Sequence, residues 1–388
     1  MNRRAETTAP ATISPTLMTR LAAYWHWPIW AAVAILLVIG AVDLATPVPD
    51  RAARLRAVYA GSPDHWPAPW VDPDVAYVEL AAADLPPRPE AGSAEARKVA
   101  LGERLFNDPI LSASGHIACQ SCHNRRLGWG DGLPRAFGHG RAEGTRNAPS
   151  LFAAWARPAF FWDGRAASLE DQVMGPLAAE NEMANHDLSD VAHRLKWLPG
   201  YPEAFAAVYG DSEITLARVA GALASFERQL DFPSRLDRFL SGETAMLSDR
   251  QIEGLHLFRT KARCVNCHMG PALMDGQAHK IGLTYYQRRY EDMGRYALTG
   301  DPADAGAFLT PSLRHVSRSA PYMHNGLFPT LRGLVNLYNA GGAIQPHQPE
   351  RAARDPLFGP ATEVSPHLRP LNLTLDERAA LVAFLEAL

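Results

Sequence analysis

Cys119-Gln120-Ser121-Cys122-His123 and Cys264-Val265-Asn266-Cys267-His268 account for all four cysteines of this 388-residue chain. Two thiols three positions apart reach the two vinyl groups of one haem as thioethers, and the histidine that follows swings beneath the iron as an axial ligand. Paired Cys-x-x-Cys also binds zinc, but these pairs lie far apart and each is followed directly by His. A redox dithiol would need a partner thiol, and no cysteine is left to serve. The spacing therefore predicts two covalently bound haem c groups, attached through Cys119, Cys122, Cys264 and Cys267 and ligated by His123 and His268. A haem that only passes electrons takes two protein ligands, whereas one that activates a small oxidant keeps an open face.

The elements that must carry these motifs are helical. Ser93 is placed to cap a helix that turns Val99, Leu101, Leu105 and Phe106 toward a core and ends near Asn107-Asp108-Pro109. Ser248 caps a second, whose Gly254-Leu255-His256-Leu257-Phe258 matches Gly102-Glu103-Arg104-Leu105-Phe106. Each Gly-x-x-Leu-Phe precedes its own haem motif, so the chain reads as an internal duplication of a helical cytochrome unit. Helical periodicity runs from Leu216 to Leu230, Asp231-Phe232-Pro233-Ser234 reads as the joint, and Thr374 with Glu377 caps a terminal helix. No alternating run is long enough for a substantial sheet.

The chain is 47% hydrophobic with a net charge of −3, enough for a buried core and without the basic excess of a nucleic-acid partner. The stretch Leu21 to Val42 has no formal charge, carries Tyr24, Trp25, Trp27 and Trp30 near its start, and follows Arg3, Arg4 and Arg20. It reads either as an uncleaved membrane anchor or as a cleaved signal segment. Both place the haems outside the cytoplasm, in the periplasm. The expected organisation is a mainly α protein: a cytoplasmic N-terminus at 1–20, a transmembrane anchor or signal segment at 21–45 and a Pro/Ala-rich linker at 46–92. Two cytochrome c-like haem domains follow, at 93–235 and 236–388. Within the linker, one short helix is expected around Arg51 to Tyr59.

From about residue 90 onward the chain resembles the dihaem cytochrome c peroxidase and MauG family. The resemblance rests on Leu101-Gly102 through Asn107-Asp108, Arg146-Asn147-Ala148-Pro149-Ser150-Leu151, Phe161-Trp162-Asp163-Gly164-Arg165, and Gln172 through Pro176 to Glu182-Met183. Thr310-Pro311-Ser312-Leu313-Arg314 and Pro321-Tyr322-Met323-His324-Asn325-Gly326 complete it.

The resemblance implies a peroxidase that reduces hydrogen peroxide to water at an open first haem, on His123, with electrons entering through the second. Glu182, with Gln172 and Pro176, matches the distal pocket, where a carboxylate moves a proton between the peroxide oxygens. Trp162 matches the tryptophan between the haems. The sixth ligand of the second haem falls at Tyr338, where the peroxidases have Met and MauG has Tyr. The rival is a core tyrosine with Met323 or Met293 as ligand. His139 falls where conventional peroxidases carry a histidine that blocks the first haem until reduction; the alternative is a solvent-exposed loop residue. Asn147, Ser319 and Pro321 match a calcium site, the last two through backbone carbonyls. Implied partners are a small cytochrome c or copper-protein electron donor, or, in a MauG-like enzyme, a protein whose side chains are oxidised. A third reading, a non-enzymatic dihaem electron-transfer cytochrome, has no use for Glu182.

Overall fold

The computed structural model describes residues 51–388, His347 apart. The segments 1–20 and 21–45, with the expected anchor, lie outside the described residues. Among the described residues, no helix is long and apolar enough to cross a membrane.

The principal helices are α1 (Arg51–Tyr59), α2 (Ala94–Asn107), α3 (Leu169–Ala178), α4 (Ser189–Lys196), α5 (Tyr201–Tyr209), α6 (Leu216–Glu227), α7 (Asp249–Arg259), α8 (Leu331–Asn339) and α9 (Leu375–Leu385). Their starts follow from caps. Ser93, Ser248 and Thr374 each accept a backbone N–H from the first turn, and at Ser248 and Thr374 the third helical residue, Gln251 or Glu377, returns the bond. The only sheet among the described residues pairs β1 (Ala278–Lys280) antiparallel to β2 (Ala307–Leu309), with His279 opposite Phe308.

Two large apolar cores and a smaller cluster around Phe160 and Leu169 result among the described residues. The first gathers Leu101, Leu105 and Phe106 of α2, Val173 and Leu177 of α3, and Val219, Leu223 and Phe226 of α6. The second gathers Ile252, Leu255 and Phe258 of α7, Leu334 and Val335 of α8, and Leu381 and Phe384 of α9. The same contact organises both. A Cβ at Gly102 would stand 2.0 Å from Ala222 O and 2.8 Å from Phe226 Cβ; one at Gly254 would stand 2.1 Å from Ala380 O and 2.6 Å from Phe384 Cβ. Each pre-motif helix thus touches its partner backbone to backbone, at a glycine facing an Ala-x-x-x-Phe pair. The repeat seen as Gly-x-x-Leu-Phe is a repeat of helix crossing.

Within 51–92, expected as a spacer, the stretch from Leu55 to Leu80 packs into the second core. Tyr59, Trp66 and Leu80 are buried there, and the fully buried Arg259 at the end of α7 pairs with Glu79, donates to Pro67 O at 2.7 Å and lies over the Trp66 ring. The irregular spacing of these anchors gives no helical or strand period, so the segment reads as a linker while packing as a strap. The expected joint is also tied down. Asp231 accepts from Arg314 at 2.7 Å, His315 at 3.0 Å and Trp155 at 2.9 Å. Burial alone would raise its carboxyl, but these donors hold it well below the usual carboxylate range.

Glu227, at the end of α6, is buried with Oε2 lacking a hydrogen-bond partner. Burial pushes it up to about 7, against the opposing charges of Arg157 and Arg228, and burial pulls Arg157 down to about 10.

Two expectations follow. Gly254→Ala forces a methyl into the Ala380 carbonyl and lowers stability by about 1–3 kcal/mol; Gly359→Ala, where nothing lies within 4 Å, leaves it unchanged or slightly raised, as denaturant titrations of the two variants would reveal. For Glu227, the folded pKa lies above the unfolded one, so the folded state holds the proton more tightly. Stability is lost as pH rises from about 4.5 to about 7, by no more than about 3 kcal/mol. Thermal midpoints at pH 5 and pH 8 should therefore converge in Glu227→Gln relative to the native chain; an unchanged gap would assign the pH dependence elsewhere.

Candidate functional site

Both haem motifs are cut to the same local pattern. Cys119–Cys122 forms one helical turn after α2, and Cys264–Asn266 a tight turn after α7. The His123 Nδ1 donates to Trp129 O at 2.9 Å and the His268 Nδ1 to Leu273 O at 3.1 Å. A carbonyl can only accept, so each imidazole carries its proton on Nδ1 and presents a bare Nε2, the atom an axial ligand uses. Burial lowers both histidines below their ordinary value, His268 to about 4, which keeps the imidazoles neutral. Burial also pushes the four thiols up to about 12.

Around the second motif lies a cavity whose walls include Cys264, Cys267 and His268, with Leu334, Val335 and Tyr338 from α8 and Leu381 and Leu385 from α9. Its empty space, open mouth included, is about 1980 Å³. Apolar walls facing a buried imidazole suit a large flat macrocycle. Unpartnered buried polar atoms cluster around the two motifs: Asp131 Oδ2, whose charge reaches Cys122 and His123, Glu227 Oε2, whose charge reaches Cys119, and Arg263 Nε beside Cys264. Orphaned atoms of this kind need a partner, and haem carboxylates suit the arginine. The residues therefore fit haem c at both places. Zinc fits less well. Among the described residues the only close set of candidate ligands is Cys267, Asp275 and His279, so neither cysteine pair joins its histidine in a four-ligand cluster.

Glu182 stands in the turn after α3, its N–H donating to Ala179 O at 2.9 Å. Burial raises its pKa, with Arg165 opposing, and its charge reaches Cys122, so it faces the first motif. Gln172 and Pro176 lie on α3, and Pro176 O accepts from Met183 N at 3.1 Å. His139 joins the same place: its N–H donates to Glu182 O at 2.8 Å, and its Nδ1 is buried without a partner. The approach requires Gly138, where a Cβ would stand 2.6 Å from Glu182 Cα.

The block Phe161 to Arg165 serves both motifs because it turns sharply, with Phe161 at φ 64° and Gly164 at φ 75°. Phe161 packs on α3 at Gly175, and Arg165, stacked on Phe161 at 3.5 Å and paired with Asp163 at 2.9 Å, faces Glu182. Trp162 points the other way, into the second cavity. Its Nε1 donates to Asn147 O at 3.0 Å, its carbonyl accepts from Leu309 N at 2.8 Å, and its ring meets His324 edge-on at 6.3 Å. Arg146 braces this region by pairing with Asp163 and Asp292, both at 2.6 Å. Sequence reasoning gave Arg165, Arg146 and Asp292 no role, since charges so placed resemble solvated surface residues until the fold pairs them.

Tyr338 lines the second cavity near the end of α8. Burial raises its phenol above the ordinary value, and Cys267 and Cys264 add to the shift, which puts its oxygen beside the haem motif. Met323 lines the same cavity; Met293 is not among its walls. Asn147, Ser319 and Pro321 also line it. The Asn147 Nδ2 donates to Leu133 O at 2.9 Å.

Residues 96–245 match the family described as di-haem cytochrome c peroxidase. Over 307 residues the chain is 38% identical to the methylamine utilization protein MauG of Methylorubrum extorquens, covering 78% of this chain and 81% of that protein. It is 35% identical to the cytochrome-c peroxidase IdrP1 of Pseudomonas sp. (strain SCT), covering 79% and 85%. Cytochrome c551 peroxidase of Nitrosomonas europaea is 38% identical over 61% of this chain and 70% of its own. Among solved structures, a MauG-like protein associated with microbial copper homeostasis superposes with a TM-score of 0.67 at 29% identity, over 82% of this chain and 94% of that one. With two Cys-x-x-Cys-His sites on paired helical cores and relatives of this extent, the chain belongs to the dihaem cytochrome c peroxidase and MauG family.

Proposed function

We propose that the chain reduces hydrogen peroxide to two waters, taking two protons at the first haem site and two electrons through the second. The observation that carries this reading is Glu182, a half-buried carboxyl with a raised pKa whose charge reaches Cys122 of the first motif. When bound, the haems supply an iron face for peroxide and a path for electrons. The Glu182 carboxyl takes the proton from the inner peroxide oxygen and returns it to the outer one, so that the O–O bond breaks with water as leaving group. Its raised pKa brings it closer to neutrality, where uptake and release both cost little. Arg165, held by Asp163, keeps that shift in check. Gln172 and Pro176 shape the pocket from α3.

Trp162 serves as the electron relay between the sites, fixed by backbone bonds at Asn147 and Leu309. His139, seated on the Glu182 turn, is positioned to gate the first iron. Tyr338 would hold the second haem iron through its phenol oxygen, a hard donor that would favour oxidised iron. This choice of ligand also favours a second reading, in which a partner protein's side chains are oxidised as in a MauG-like enzyme. The electron donor in the first reading is a small cytochrome c or copper protein. Asn147, Ser319 and Pro321 would hold a calcium ion, an oxygen-only donor set suited to a hard cation. The protein works in the periplasm, with the segment 21–45 as anchor or signal.

Stoichiometric peroxide added to the fully oxidised protein, followed by absorption spectra, tests the assignment. Immediate reaction means an open first haem; reaction only after one-electron reduction means that His139 blocks it, and His139→Ala then removes the requirement. In Glu182→Gln the second-order rate with peroxide should fall about 10²- to 10⁴-fold while haem content stays at two per chain; an unaltered rate would dismiss Glu182 as the proton carrier. Tyr338→Met should make the second haem easier to reduce in a spectroelectrochemical titration, and no change in its potential would remove Tyr338 from the iron.

A further inference from the structure

The strap that precedes the first cytochrome unit crosses the second haem motif from end to end. Trp70 N donates to Arg259 O at 2.8 Å, Asp72 N to Asn266 Oδ1 at 2.7 Å, and Gly270 N to Val78 O at 3.0 Å. Asn266 returns a bond from Nδ2 to Trp70 O at 3.0 Å. Residues 70–78 therefore run alongside 259–270.

At the centre of this contact Asp72 gathers cations. Its carboxylate pairs with Arg263, accepts from Arg369 at 2.9 and 3.0 Å, and meets the His367 Nδ1 at 2.9 Å. Burial alone would raise Asp72, yet the bonds from His367, Arg263 and Arg369 hold it below its ordinary value, so it is a carboxylate. Arg263, Arg369 and His367 all line the second cavity, whereas Asp72 stands behind them. Arg263 also adopts a left-handed backbone, φ 55°, immediately before Cys264, a conformation that non-glycine residues enter at a cost. Its Nε is buried without a partner.

Two guanidiniums against one carboxylate leave a positive charge at the cavity mouth. Haem carries two carboxylates, and guanidinium is the side chain matched to them. We propose that Asp72 is a positioning residue for the second haem: it fixes Arg263, Arg369 and His367 at the cavity mouth, where the arginines receive the haem carboxylates. The inference rests on the dihaem reading. It makes a residue outside both cytochrome units a determinant of the second haem's potential, because charge beside a buried iron shifts its reduction equilibrium.

The test uses the full-length holoprotein, with haem content from the pyridine haemochrome and each haem's potential from spectroelectrochemistry. Asp72→Asn removes a negative charge behind the arginines. The second haem should become about tenfold easier to reduce, a rise of about 59 mV, with the first haem unmoved, and Asp72→Glu should restore the native value. Arg369→Gln removes a cation and should shift the second haem the opposite way. If Asp72→Asn does not mature, the sign of the Arg369→Gln shift decides alone. Shifts shared equally by both haems, or no shift in the second, would overturn the proposal and leave the strap a merely structural element. A native chain with fewer than two haems would instead refute the dihaem reading.

Discussion

Everything in this structure hangs on two helix crossings in which a glycine lets backbones touch. At Gly102 against Ala222, and again at Gly254 against Ala380, the helix ahead of each haem motif approaches its partner more closely than any side chain permits. The crossing sets where that helix ends, and the next turns carry the two cysteines and the histidine. Haem attachment chemistry fixes the residues of the motif, while the glycine fixes where the motif stands in the fold. The surroundings of each motif then follow from the same partner helices: Phe226 of α6 belongs to the core against which Cys119 packs, and Leu381 and Leu385 of α9 line the second cavity.

The two sites differ in what lies opposite the histidine. The first has Glu182 and Arg165 near it, with His139 bonded to the Glu182 turn. The second is faced by a phenol and aliphatic side chains. One sharp turn, Phe161 to Arg165, contributes to both, sending Arg165 to the first and Trp162 to the second. Its left-handed residues make sense of its composition, since a regular strand or helix would send these side chains to places dictated by a period.

Much of this was legible in the sequence because it is local. Haem attachment, the caps at Ser93, Ser248 and Thr374, and the duplicated Gly-x-x-Leu-Phe are patterns within a few residues. Family resemblance singled out Glu182, Trp162 and Tyr338, and the fold brings Glu182 to the first motif and the other two to the second cavity. What stayed hidden depends on pairs distant in sequence. Tyr59, Trp66 and Leu80 have no period, so the strap looked like a spacer. The Ala-x-x-x-Phe halves of the two crossings carry no signal until their glycines are seen against them. The burial of Glu227 with Arg157, and the bracing of Arg146 by Asp163 and Asp292, arise only when several loops converge.

The strap also fixes an order of assembly. Its contacts join residues near 70 to residues near 260, and the entire first cytochrome unit lies between them in the chain. A chain synthesised from its N-terminus therefore holds the support of the second motif from the start but can use it only after the first unit has been made. Until then Trp66 and Leu80 have no core to enter and stay exposed. A shortened protein beginning at Ser93 would keep both haem motifs yet lack Asp72, so Arg263, Arg369 and His367 of its second cavity would lose the carboxylate they share.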